Sequence, residues 1–193
     1  MERATALGFT LEDLAPLFKW LDRIGLGFII IGDTCVYYAA GHRVFQGDVD
    51  LYIFNGSISF VENDLREFAE ESGWDIGSTE LGTPSLVLRK NDEDIAVDLY
   101  EAMHDFYVPA ELIESSRVID VGGLSIRILS PEQHIVLKAR SGSEDAIAEL
   151  SEYLDLYESG DLSINIQEIR RLASLFEDQR TILYRLRKAG FQI

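Results

Sequence analysis

Phe28-Ile29-Ile30-Ile31-Gly32-Asp33-Thr34, followed sixteen residues after Gly32 by Asp48-Val49-Asp50-Leu51-Tyr52-Ile53, is the stretch whose reading decides the fold. Phe28 to Ile31 is a short, continuous apolar run rich in β-branched residues, the pattern of a strand buried on both faces. It stops at Gly32, and Thr34 to Ala40 suits a short helix closed by Gly41. Val49 to Phe54 returns to strand before the turn residues Asn55-Gly56, which gives a strand, turn, helix, strand unit. Asp48 and Asp50 are two apart on that second strand, so the period of two puts both carboxylates on one face. Adjacent carboxylates repel, and burying either one alone is costly; a divalent cation that neutralises both resolves the conflict. Mg²⁺, which takes a few carboxylates together with phosphate oxygens, suits such a pair better than a protein-only calcium cage does. A surface strand whose solvent face carries two acids is the competing reading, and for a lone Asp-x-Asp it is the commoner one.

Asp98 shifts that balance. It lies among Ile95, Val97 and Leu99 in a second apolar strand, where a charge has little reason to sit unless something local needs it. Three strand carboxylates can then converge. The Gly32 turn adds a helix start whose free N–H groups and positive dipole end suit a phosphate.

Working outward, Thr10-Leu-Glu-Asp13 reads as a helix start, with Leu11, Leu14, Leu17, Phe18 and Leu21 at helical spacing up to Gly25. Asn63 to Ser72 reads as a helix ending at Gly73. Leu86 to Arg89 and Ile95 to Tyr100 form a hairpin pair across Lys90 to Asp94, and a second hairpin runs from Arg117 to Ile128 through Gly122-Gly123. At Ser130-Pro131-Glu132 the character changes to a capped helix with proline at its first position, and the pattern stays helical to the end. The expectation is an α+β fold, a mixed β-sheet flanked by helices, with residues 1–129 as the core. Residues 130–193 would form a C-terminal region of three or four helices, broken at Gly142 and between Gly160 and Asn165.

Composition sets outer limits. With 47 % hydrophobic and 26 % charged residues the chain falls in the ordinary globular range. No apolar run approaches the roughly 20 residues of a bilayer-crossing helix, and the first residues show no signal-peptide pattern, so the expected setting is cytoplasmic, without membrane attachment. The single cysteine, Cys35, excludes an internal disulfide framework and a cysteine-rich zinc site. The formal charge of −17 argues against a surface broadly attractive to nucleic acid. The excess is uneven, since residues 166–193 hold six basic and three acidic side chains. Gly122-Gly123 opens no helix and is a turn rather than a phosphate loop. Tyr37, Tyr38, Phe106 and Tyr107 could stack on a base, with core packing as the default.

The run from Ile29-Ile-Ile-Gly32-Asp-Thr through Gly41-His-Arg to Gln46-Gly-Asp48-Val-Asp50-Leu, with Asp98 beyond, resembles the signature of the nucleotidyltransferase superfamily. Its nearest flavour is the minimal group that includes AbiEii-type toxins. Leu129-Ser-Pro-Glu-Gln-His-Ile-Val-Leu-Lys138-Ala-Arg140 is similar to the helix that follows the sheet in that group, so the resemblance spans about residues 27 to 145. It implies that Asp48, Asp50 and Asp98 hold Mg²⁺ or Mn²⁺ and carry catalysis. It also implies that Gly32, Asp33 and Thr34 cradle the phosphates of a nucleoside triphosphate, and that Lys138 and Arg140 neutralise them. The implied reaction is transfer of a nucleoside monophosphate to an RNA, protein or small-molecule hydroxyl, possible settings including a toxin–antitoxin pair. For Arg140, a surface cation near Glu144 and Asp145 is an equal reading.

Three departures bear on activity. Asp33 stands where the family has glycine or serine, Gln46 replaces the usual threonine, and the spacing from Gly32 to Asp48 is about one residue longer than the common form. A carboxylate at position 33 is an N-cap for the Thr34 helix, a competitor of the triphosphate, or one end of a cation bridge to it. The alternative function is accordingly a catalytically inactive member that keeps the fold as a nucleotide-binding or protein-interaction module.

Overall fold

The computed structural model describes residues 8–103, 106–143 and 145–193. They form two compact units, 8–34, 43–103, 106–107 and 117–128 in the first, 35–42, 108–116, 129–143 and 145–193 in the second. Together they give an α+β fold with one mixed sheet.

The first unit holds the sheet. Its strands are β1 (Gly27–Ile31), β2 (Val49–Asn55), β3 (Asp75–Ser78), β4 (Pro84–Lys90), β5 (Glu93–Glu101), β6 (Arg117–Val121) and β7 (Leu124–Ile128), in the spatial order β3-β4-β5-β2-β1-β7-β6. β2 is antiparallel to β1 and parallel to β5, so β1 and β2 are not the two strands of a parallel crossover. Both hairpins turn tightly. Asn91 and Asp92 take left-handed φ values of 52° and 65° between β4 and β5, and Gly122 and Gly123 take 58° and 85° between β6 and β7. Two consecutive left-handed residues are what a two-residue primed turn requires, and Asn, Asp and Gly tolerate them best.

Val49, Leu51 and Ile53 on β2 and Ile95, Val97 and Leu99 on β5 are all buried, and alternation puts the intervening residues on the other face. α1 (Ala15–Arg23) and α3 (Glu62–Ser72) belong to the same unit. Phe18 of α1 stacks on Phe28 of β1 at 5.3 Å between ring centres, and Trp20 meets Phe68 of α3 at 5.2 Å. Ahead of α1 the Thr10 and Asp13 side chains form the expected reciprocal cap, although over a short 3₁₀ turn, Leu11–Leu14. Glu101 at the end of β5 accepts from the Ile58 N–H at 3.0 Å and so fixes the chain as it leaves β2.

The second unit is helical. Beyond the start of α2 (Thr34–Ala39) it contains α4 (Ala110–Glu114), α5 (Pro131–Ser141), α6 (Ala146–Ser159), α7 (Ile166–Ala173) and α8 (Gln179–Lys188). Ser130 caps α5 by accepting from the Gln133 N–H at 3.3 Å, while Gln133 Oε1 accepts from the Ser130 N–H at 2.8 Å. The Gln133 amide also donates to the Leu112 carbonyl at 2.9 Å, joining α5 to α4. Asn165 caps α7, and its own N–H donates to the buried Glu132 at 2.9 Å. Gly142 and Gly160 end α5 and α6 in left-handed geometry, where the sequence places breaks. Among the described residues no helix is long and apolar enough to cross a membrane.

Two outcomes follow. Ser130→Ala removes the α5 cap and is expected to cost about 1 kcal/mol in urea unfolding. Burial pushes the Asp13 carboxyl up, but the Lys90 ammonium and Thr10 outweigh it and hold the group below its ordinary value. A depressed carboxyl stabilises above its unfolded pKa and loses that contribution as pH falls through the folded value. Lys90→Met should therefore lower stability at pH 6 and leave it little changed at about pH 2, read from unfolding midpoints at the two pH values.

Candidate metal and nucleotide site

The in-register parallel pairing of β2 with β5 sets Asp50 opposite Asp98 and Tyr52 opposite Tyr100. Asp48 stands just ahead of β2, two residues before Asp50. One carboxylate oxygen from each of Asp48, Asp50 and Asp98 lies within 4.8 Å of the others. Asp48 is exposed, and Asp50 and Asp98 are half-buried. Two unit charges about 5 Å apart repel by roughly 3 kcal/mol at an effective dielectric of about 20, less where water screens Asp48. Only the Asp50–Asp98 pair avoids that screening, and its repulsion alone is a sizeable part of the stability of a domain, about 5–15 kcal/mol. An all-oxygen donor set of this geometry fits a hard divalent cation, which relieves the repulsion.

Gly32 closes one side of the cluster. Its φ is 77°, and a Cβ there would run into the Asp50 carboxylate. Both the left-handed backbone and the close approach to Asp50 therefore require glycine. Asp33 is exposed, whereas Thr34 is buried at the start of α2. The backbone turn thus touches the acid cluster through Gly32, and the Thr34 side chain packs inward.

Tyr100 is the feature of this face that the sequence reading missed. Its hydroxyl donates to Asp98 Oδ2 at 3.3 Å. Burial, then the charges of Asp50 and Asp98, push its phenol well above the ordinary tyrosine range, so it keeps its proton and remains a donor. Phe106 packs on both neighbouring tyrosines, 5.8 Å from Tyr52 and 5.6 Å from Tyr100 between ring centres. The period of two in Asp98-Leu-Tyr100 was the available signal. It repeats that of Asp50-Leu-Tyr52.

Lys138 and Arg140 belong to the helical unit. Lys138 forms an ion pair with Glu149 of α6. Arg140 pairs with Asp178 at 3.4 Å and lies over the Phe176 ring at 5.1 Å. Asp178, an acid far along the chain, is thus one partner of Arg140; Glu144, one of the two nearby acids considered from the sequence, lies outside the described residues.

The mixed sheet, with its acid-x-acid strand beside a strand carrying a third acid, has a nucleotidyltransferase-like fold. The chain belongs to the family described as nucleotidyl transferase of unknown function (DUF2204), whose model matches residues 10–188. No curated protein matches it in sequence. Among solved structures, an antigenic nucleotidyltransferase-like protein from Paracoccidioides brasiliensis has a TM-score of 0.53 at 17 % identity, over 93 % of each chain. The antibiotic-resistance factor ANT(2'')-Ia has a TM-score of 0.42 at 16 % identity, over 90 % of this chain and 87 % of its own. JHP933 from Helicobacter pylori has 0.41 at 12 %, over 91 % and 87 %. The first of these supports the fold.

Gly32→Ala provides a test of the packing at the cluster. Left-handed strain and displacement of Asp50 are expected to cost about 1–3 kcal/mol in chemical unfolding. Mn²⁺ binding, followed by calorimetry below the unfolding transition, should weaken at the same time.

Proposed function

We propose that the protein transfers a nucleoside monophosphate from a nucleoside triphosphate to a hydroxyl acceptor. The observation that carries this reading is the convergence of Asp48, Asp50 and Asp98 within 4.8 Å, in a chain of a nucleotidyl transferase family. Mg²⁺ or Mn²⁺ held by these three carboxylates would supply charge neutralisation for the triphosphate and a more acidic acceptor hydroxyl. Asp98 would take the proton of that hydroxyl as its oxygen bonds to the α-phosphorus, and the bond to pyrophosphate would break. The Gly32 turn and the N–H groups of Asp33 and Thr34 would receive phosphate oxygens. Lys138 and Arg140 are carried as phosphate-neutralising cations by the family resemblance alone, since Glu149 and Asp178 hold them here.

For the acceptor, RNA is favoured by α8. Arg180, Arg187 and Lys188 are exposed along it, and Tyr184 between them is 55 % exposed, a combination suited to phosphates and an unstacked base. A role as a toxin of a toxin–antitoxin pair is one setting in which such an activity would operate, and a cytoplasmic location goes with it. One observation favours the second reading, an inactive nucleotide-binding or protein-interaction module: the exposed Asp33 carboxylate stands at the turn that would receive the phosphates.

Incubation with each labelled nucleoside triphosphate, Mg²⁺ or Mn²⁺, and either total RNA or the protein itself as acceptor decides between them. Transfer should appear in the wild type and fall by about 10²-fold or more in Asp48→Asn and Asp50→Asn. Nucleotide binding without transfer establishes the nucleotide-binding module, and neither binding nor transfer removes the enzyme and leaves only the protein-interaction role. If Asp33 competes with the triphosphate, Asp33→Ser should tighten nucleotide binding by up to about tenfold, roughly 1.4 kcal/mol, in equilibrium titration.

A further inference from the structure

We propose that Tyr100 is the positioning residue of the acid cluster, its phenol O–H fixing the rotation of the Asp98 carboxylate so that Asp98 can join Asp48 and Asp50 on one cation. The proposal rests on the metal reading of the site given above. A carboxylate on an sp³–sp² torsion rotates over a broad range, and repulsion from two neighbouring carboxylates favours rotation away from them. A neutral donor on the same strand face opposes that rotation. Tyr100 follows Asp98 by two residues, so its side chain rises from the same face, and its hydroxyl reaches Asp98 Oδ2 at 3.3 Å. That length exceeds the usual O–H···O distance of about 2.7–2.8 Å, so the bond is weak at this separation, and a small rotation of either side chain would shorten it.

The donor is itself held in place. Tyr100 lies opposite Tyr52 in the β2–β5 register, and Phe106 packs against both rings, at 60° to Tyr100 and 73° to Tyr52. The aromatic group therefore occupies the next step along the strands from the Asp50 and Asp98 pair. A ring that merely filled space there would need no hydroxyl, and phenylalanine would serve as well. Partners that orient metal-ligating carboxylates typically change metal affinity by about 10–100-fold when lost.

The test is Tyr100→Phe, which keeps the ring and deletes the donor. Mn²⁺ binding to the full chain is measured by calorimetry and by the electron paramagnetic resonance signal of free Mn²⁺, without nucleotide. The expected result is a dissociation constant raised by about tenfold or more, with the thermal midpoint close to that of the wild type. Tyr157→Phe on α6 should leave the constant unchanged. Affinity within about twofold of wild type in Tyr100→Phe overturns the positioning role while the metal site stands. Equal weakening in Tyr157→Phe also overturns it, because loss of any phenol would then suffice. A wild-type protein that binds no Mn²⁺, or one in which Asp48→Asn and Asp50→Asn leave binding intact, removes the metal reading and this inference together. If Tyr100→Phe proves unstable, Mn²⁺ affinity in Phe106→Leu, which leaves the Tyr100 hydroxyl but loosens its ring, should fall by a smaller factor; unchanged affinity there overturns the proposal.

Discussion

The parallel, in-register pairing of β2 with β5 is the constraint on which the rest of the site depends. Strand side chains alternate, so a slip of one residue would turn Asp98 onto the apolar face and bring Val97 or Leu99 to the acids. The carboxylates cannot hold that register, because they repel. The opposite face holds it. Val49, Leu51 and Ile53 are buried there beside Ile95, Val97 and Leu99, and the same slip would turn those three β5 side chains out of that face. A contact that stabilises the core therefore also imposes the charge crowding at the site. Glu101 reinforces the register from β5 by holding the Ser57 hydroxyl at 3.2 Å and the Ile58 N–H at 3.0 Å, just after β2.

Much of this was legible from local patterns. The apolar run ending at Gly32, the alternation around Asp50 and Asp98, the two hairpin turns and the Ser130 cap all carry their signals within a few residues. β3 was not foreseen, and Asp75-Ile-Gly-Ser78 shows why: it is a mostly exposed edge strand whose strand character comes from pairing with β4 rather than from its own side chains. α4, five residues long, was missed for a similar reason, since the Gln133 amide fastens it from α5.

The site divides along the same line. The sequence marks Gly32 as part of a turn suited to a phosphate, and the group pressed against it in the structure is the Asp50 carboxylate. Asp98 was recognised because a charge in an apolar strand stands out. Tyr100 was passed over because an aromatic residue in such a strand does not. Lys138 and Arg140 enter through the resemblance of their helix to that of the family, and a local resemblance carries no information about Glu149 of α6 or Asp178 ahead of α8, which pair with them here.

Charge sets the terms on which the proposed nucleotide would arrive. A chain of formal charge −17 repels a triphosphate at long range, the reverse of electrostatic steering, and ordinary salt screens that repulsion beyond about 8–10 Å. Short-range neutralisation then has to supply the binding energy. In the proposed site it takes a form that is inverted relative to a basic pocket: the carboxylate cluster would attract the cation, and the cation would attract the phosphates. Under that arrangement each part of the site serves the ion first. Gly32 lets Asp50 sit close to the turn, the β2–β5 register brings Asp98 opposite, and Tyr100 holds Asp98 against the repulsion that crowding creates. Asp33 acts at the second stage, where a carboxylate beside the turn opposes the phosphates directly or helps to hold the cation that carries them. Its substitution therefore tells the two roles apart: a change in nucleotide binding alone marks opposition to the phosphates, whereas a change in Mn²⁺ binding marks a share in holding the ion.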